Sequence, residues 1–246
     1  MVTIIVLWIG LFAGDGALVQ PYPADSAFAS LNYPVALNQY DSLLVVVPDD
    51  PGLLWRLARL YVCMGDTAAP ERREGLYRQA DGYASRTITL APDLAAGHTW
   101  KAAALGNIAM FVGGETKVRL SWEIREELDM ALRLDPDDDV AWSILGTFYR
   151  VLSNVSWVER TLAGILFGGL PEGGYEQAEH ALRRAISLAP SVVRHRFELA
   201  LVLLDTDRED EAADELRWVL ELRPTLAKDS SSKAQARRLL NAIQGG

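Results

Sequence analysis

The stretch Trp142-x-x-Leu145-Gly146-x-x-Tyr149, continued after an intervening segment by Ala178-x-x-x-Leu182-x-x-Ala185-x-x-x-x-Pro190, sets large apolar residues beside small ones at helical spacing. Each class has a task. Gly146 and Ala178 let two helices approach closely, while Trp142 and Leu182 fill the space between them. Proline cannot continue a helix and disfavours helical geometry in the residue before it, so Pro190 marks a stop. The closing phrase recurs. Leu44-Val45-Val46-Val47-Pro48, Ile88-Thr89-Leu90-Ala91-Pro92, Leu132-Arg133-Leu134-Asp135-Pro136, Ile186-Ser187-Leu188-Ala189-Pro190 and Leu220-Glu221-Leu222-Arg223-Pro224 follow one another at spacings of 44, 44, 54 and 34.

The last spacing equals the tetratricopeptide period, and the others exceed it by about 10, 10 and 20 residues, as one unit type with insertions would. The final unit, Val193 to Pro224, keeps Leu199-Ala200, Ala212 and Leu216 without an insertion. Two earlier units, beginning near Trp55 and Trp100, keep Ala80, Ala84, Leu128 and Ala131 at the expected offsets. Coiled-coil heptads would not tolerate a proline every few turns. The sequence therefore predicts an all-α tetratricopeptide-repeat helical solenoid of about four helix-pair units. An extra helix is inserted in the third unit, where Ser156-x-x-Glu159 forms a capping box ahead of Leu162, Ile165, Leu166 and Phe167, and Gly168-Gly169-Leu170-Pro171 ends it. A helix so apolar is expected to pack on its neighbours, with packing on a ligand as the alternative.

Composition agrees with this class. Strand signals are scarce, and Ala, Leu, Glu and Arg dominate after residue 50. The net charge of −9 opposes nucleic acid as a partner, since phosphate binding needs a basic field. Lys and Arg are absent before Arg56, whereas Asp15, Asp25, Asp41, Asp49 and Asp50 all precede it, so the later chain is nearly balanced. Residues 1–17 form an apolar, signal-like leader, Met1 to Ala13 followed by small residues, although its first residues carry no Lys or Arg. Export to the periplasm or medium after cleavage is expected, with an N-terminal helix retained at the membrane as the alternative. Residues 18–34, with Tyr22-Pro23 and Tyr33-Pro34, suggest a linker, and 35–246 the repeat domain, in which Val35 to Val47 would be a cap with a polar outer face.

From Ala141 to Ile243 the chain resembles the regulator of microtubule dynamics family. The points of resemblance are Leu145-Gly146, Ser156-Trp157-x-Glu159-Arg160, Leu166-Phe167-Gly168-Gly169-Leu170-Pro171, Tyr175-Glu176-x-Ala178 and Ala185 to Pro190, with His98-x-Trp100-Lys101 extending them. The resemblance implies a tetratricopeptide domain. It also implies association with microtubules among animal members, and for one membrane-anchored member organelle tethering and phospholipid binding in the repeat domain. A compact chain with an export-like leader is similar to what a bacterial relative would be, and there the fold carries over but the microtubule partner does not. The resemblance supplies no catalytic residues.

The residues supply none either. His98, His180 and His195 are far apart, with no clustered Cys or Asp set, so no metal and no cofactor is expected. Gly113-Gly114-Glu115-Thr116-Lys117 lacks phosphate-loop spacing, Glu126-Glu127 and Asp137-Asp138-Asp139 fit a solvated face and a helix start, and Cys63 fits a small buried residue. Nothing assembles a nucleophile, base and oxyanion site. The expected function is non-enzymatic binding in a groove, with an enzyme of unrecognised type ranked last. In such stacks positions 2, 5, 9 and 12 of each first helix, three or four residues apart, share the inner face. With the tryptophan at position 4 they fall on Leu53, Arg56, Leu60 and Cys63; on His98, Lys101, Leu105 and Ile108; on Val140, Ser143, Thr147 and Arg150; and on Arg194, Phe197, Leu201 and Leu204. The candidate groove residues Arg56, His98, Lys101, Arg150, Arg194 and Phe197 are basic and apolar, which suits an acidic protein or peptide segment, with an anionic phospholipid as the alternative ligand. Against both stands the reading that these Arg and Lys stems pack across helices and pair with acids of the neighbouring unit.

Overall fold

Each proline phrase ends a helix. In the computed structural model, which describes residues 22–245, twelve helices and no strand are found among the described residues. α1 (Pro23–Ala29) and α2 (Tyr33–Val46) precede the pairs α3 (Pro51–Thr67) with α4 (Pro70–Leu90), and α5 (Ala95–Ile108) with α6 (Gly114–Leu134). The third unit is α7 (Asp139–Ser153), the inserted α8 (Trp157–Phe167) and α9 (Tyr175–Leu188); the fourth is α10 (Val193–Asp205) with α11 (Glu209–Glu221), and α12 (Asp229–Gly245) closes the stack. After two of the phrases an aspartate starts the next helix: Asp50 accepts the Gly52 amide at 2.8 Å and Asp138 the Ala141 amide at 2.9 Å.

Successive first helices touch, α3 with α5, α5 with α7 and α7 with α10, whereas successive second helices make no comparable contact among the described residues. The first helices therefore form the inner layer and α4, α6, α9 and α11 the outer one. Within a unit the two layers meet at a small residue. Ala58, Ala102, Gly146 and Ala200 each lie ten positions after a phrase proline, and all are buried. At Gly146 a Cβ would sit 2.5 Å from Leu182 Cγ, so the signature glycine is required by a close approach of α7 and α9.

The stretch expected as a linker is partly helical. Residues 1–21 include the leader and lie outside the described residues, but α1 buries Ala24 and Phe28, and Phe28 stacks on Tyr33 with ring centroids 5.4 Å apart. Pro23 pre-sets the helical φ at the first position, and the Asp25 carboxylate accepts the Tyr22 amide at 3.1 Å. α2 begins at Tyr33 and exposes Asn38, Asp41 and Ser42, as a cap should, but also Val45 and Val46.

The inserted helix also departs from expectation. Its capping box forms, with the Ser156 hydroxyl accepting the Glu159 amide, and Gly168 ends it at φ 81°. Only Ala163 is buried, however. Val158, Leu162 and Ile165 face outward, because a 100° step per residue places them opposite the Arg160 and Ala163 side that meets the stack, and Trp157 and Leu166 flank that side and are exposed too.

Candidate functional site

The inner face depends on register, and three units share a marker for it. The residue six positions after the phrase proline reaches back to that proline's carbonyl: Trp142 Nε1 donates to Pro136 at 2.9 Å, Arg196 Nε to Pro190 at 3.2 Å, and His98 Nε2 lies 2.9 Å from Pro92 O. His98 thus occupies position 4 of the second unit. Trp100 does not. By the same count Leu54, rather than Trp55, holds position 4 of the first unit. The tryptophans are displaced because packing, not residue type, sets the frame. The inner positions become Gly52, Trp55, Arg59 and Val62 in the first unit and Ala96, Thr99, Ala103 and Gly106 in the second, while the third and fourth units keep theirs.

This places the six candidate residues differently. Arg56, 4% exposed, turns toward α1, with Nε 3.0 and 2.9 Å from the two Asp25 oxygens and Nη1 donating to Gly52 O at 2.8 Å. His98 and Lys101 lie between the outer helices α4 and α6. His98 Nδ1 is 2.6 Å from Glu127, and Lys101 bridges Glu123 at 3.1 Å and Glu127 at 3.6 Å beside Asp81, whose pKa burial raises. Arg150 stays on the inner side and pairs with Asp205 of α10 at 2.7 Å. Phe197 is buried in the cluster that joins α10 to α11 and α12. Arg194 is half-buried and has no ion pair among the described residues.

The sequence register hid a further residue, Arg59 on α3. Its charge and that of Arg194 on α10 both favour the thiolate of Cys63. Burial pushes that thiol up to about 12, and the two arginines only partly offset it. Arg59 lies over the Phe28 ring at 3.8 Å and 5.1 Å from Trp55, and Nη2 reaches Asp25 at 3.3 Å. Its Nε is buried and finds no hydrogen-bond partner among the described residues. Burial alone would raise the Asp25 pKa, but hydrogen bonds from Tyr40 and the Tyr22 amide and the charge of Arg56 hold it below the ordinary value.

These side chains surround a cavity of about 510 Å³, walled by Phe28, Trp55 and Arg59 and closed on one side by Pro224 and Thr225. Those last two belong to the connector between α11 and α12. The connector crosses the inner face: the Ala227 amide donates to the Tyr33 hydroxyl at 3.0 Å, Lys228 lies 3.8 Å from Asp66, and Leu226 and Ala227 pack on the main core. Asp229, buried at the start of α12, fixes the connector by accepting the Thr225 and Leu226 amides at 2.7 and 2.9 Å. Much of the inner surface is therefore filled by the chain itself, and the cavity is what remains open at its mouth.

The chain matches the family described as regulator of microtubule dynamics protein 1-3 over residues 24–244. It belongs to this family. Among its relatives, human regulator of microtubule dynamics protein 2 is 26% identical over 199 residues, covering 80% of this chain and 48% of the human one. The bovine protein 1 is 28% identical over 145 residues, covering 58% and 46%. The chain thus spans about half the length of the curated relatives it matches. A thermophilic tetratricopeptide protein of Thermus thermophilus superposes with a TM-score of 0.65 at 21% identity, covering 89% of this chain and 95% of that one. Yeast Tom70 gives 0.55 at 17% identity, covering 90% of this chain and 38% of its own. Both share the helical-repeat fold.

Trp55, Arg59 and the connector escaped the sequence register. One signal could have found them. The small residue ten positions after each phrase proline is constant in spacing where the tryptophan is not, and counting from Ala58 places Trp55 and Arg59 inward.

Proposed function

We propose that this family member is a non-catalytic scaffold that binds a protein partner, taking an extended segment with a carboxylate beside apolar side chains at the mouth of the inner face. The observation that carries this reading is Arg59 Nε, buried beside an open cavity and without a partner among the described residues. A buried donor left unpaired costs about 1–3 kcal/mol, which an incoming carboxylate would recover. Phe28 and Trp55 supply flat apolar walls for the neighbouring side chain. Arg194, whose charge also acts on Cys63, supplies a second cation, and unlike Arg59, which shares Asp25, it has no ion pair among the described residues. The helical-repeat fold shared with the Thermus protein and Tom70 is compatible with scaffolding.

The reading is tested by fluorescence anisotropy with a fluorescein-labelled octapeptide of alternating Glu and Leu, free at its C-terminus. Binding should weaken at least tenfold in Arg59→Ala with Arg194→Ala, and should be absent for the Lys-for-Glu peptide. Equal affinity for both peptides would refute it.

A further inference from the structure

The outer face carries two unpartnered features that fit each other. The first is a crevice of about 570 Å³ between α6 and α9, floored by Leu132, Trp142, Leu145 and Tyr149 and rimmed by Arg133 and His180. It is open because the third unit lacks a stitch that its neighbours have. Position 4 is joined to the second helix by His98 and Glu127 at 2.6 Å in the second unit, and by Arg196 and Glu215 at 2.8 Å in the fourth. Trp142 holds that place in the third unit and makes only an edge contact with the His180 ring, centroids 6.2 Å apart. Arg133 reaches no carboxylate among the described residues and has only the Met130 sulfur at 3.9 Å.

The second feature is the outward face of α8, where Trp157 is 77% exposed and Ile165 75%, with Val158, Leu162 and Leu166 beside them. Five large apolar side chains on one solvent-facing helix surface are unusual on a soluble chain. The two features adjoin. Trp122 Nε1 donates to Gly169 O at 3.0 Å, pinning the end of α8 to α6, and Arg125 and Asp129, three and seven residues further along α6, already wall the crevice.

We propose that α8 of one copy of this chain lies in the α6–α9 crevice of a second copy, and that the contact is reciprocal about a two-fold axis. Adjacency on one face makes reciprocity possible, since each copy presents both helix and crevice in the same direction. Length fits as well. The crevice runs from Arg125 to Arg133, about 12 Å of helix, against about 16 Å for the eleven residues of α8. One such helix contact is small for a specific interface, and doubling it brings the total toward the about 1,000 Å² that a stable pair needs.

Sedimentation velocity of the full chain between about 1 and 100 µM tests this. A dimer is expected, and Ile165→Asp with Leu166→Asp should raise its dissociation constant at least a hundredfold while leaving the far-ultraviolet circular dichroism of the folded chain unchanged, because both residues are exposed within one copy. A copy carrying Ile165→Cys mixed with a copy carrying Gln177→Cys should form a mixed disulfide under oxidised glutathione in excess of either copy alone. A monomer at every concentration would overturn the proposal. So would association that the double substitution leaves intact, which would place the contact elsewhere. Monomers that float with phosphatidylcholine vesicles through α8 would overturn it in favour of a membrane surface.

Discussion

The Tyr33 hydroxyl accepts the Ala227 amide at 3.0 Å, joining residues 194 positions apart and strapping the connector before α12 across the inner face. Tyr33 also neighbours the Cys63 thiol, which helps to raise the phenol's pKa, so one side chain links α2, α3 and the connector. Replacing Tyr33 by Phe should leave the ring stack on Phe28 in place and strand the Ala227 N–H, at a cost of about 1 kcal/mol. Native-state hydrogen exchange should show the Ala227 amide exchanging roughly tenfold faster, with smaller changes in α5 and α7. An unchanged rate would mean that the strap is held by packing alone.

Close approach at the small position of each unit predicts a steep size dependence. Gly146→Ala places a Cβ 2.5 Å from Leu182 Cγ and 3.1 Å from Ala178 O, so α7 and α9 must move apart, costing about 1–3 kcal/mol. Urea unfolding should report that loss. Gly75→Ala, on α4 with nothing within 4 Å of its Cβ, should be neutral or slightly stabilising, since Ala favours the helix.

The helix pairs were legible because the proline phrases and the small residues Gly146 and Ala178 are local signals, imposed by helix termination and helix contact. The inner face was half legible. In the third and fourth units the hydrogen bonds back to Pro136 and Pro190 give the same register as the sequence count, and Arg150 pairs with Asp205 of α10. In the first two units Trp55 and Trp100 sit one and two residues past position 4, which turned Arg56 and Lys101 into apparent groove residues although they pair with Asp25 and with Glu123 and Glu127. α1 was hidden for another reason. Seven residues carry too little periodicity to register as a helix, and its stability comes from Asp25 meeting Arg56 across 31 positions.

That pairing predicts a pH dependence. Asp25 has a folded pKa below its ordinary value of 3.8, so its contribution is fully present above that value and is lost as the pH falls through the lower, folded one. Asp25→Asn at pH 7 leaves the nearly buried Arg56 without its carboxylate and should cost about 3 kcal/mol. The difference between parent and variant should shrink steadily below about pH 4. Paired urea titrations between pH 7 and pH 2.5, followed by tryptophan fluorescence, would show it; a difference independent of pH would contradict the assignment.

Cys63 should be inert in the folded chain. Burial raises its pKa from 9.0 to about 12, so its thiolate population is about a thousandfold lower than that of an exposed thiol. Ellman's reagent at pH 8 should react with it only after unfolding in urea, and rapid reaction in the native protein would show that the inner face opens readily at the strap.

The account rests on a partner segment entering between Trp55 and Arg59. The most direct measurement is a ¹H–¹⁵N correlation spectrum of the full chain titrated with the Glu-Leu octapeptide, following the tryptophan indole and arginine Nε signals. The Trp55 indole and the Arg59 Nε–H should shift together with one binding curve, and the Arg59 Nε proton should become protected from exchange. Shifts confined to Trp142 and the outer crevice, with Trp55 and Arg59 unmoved, would contradict the account.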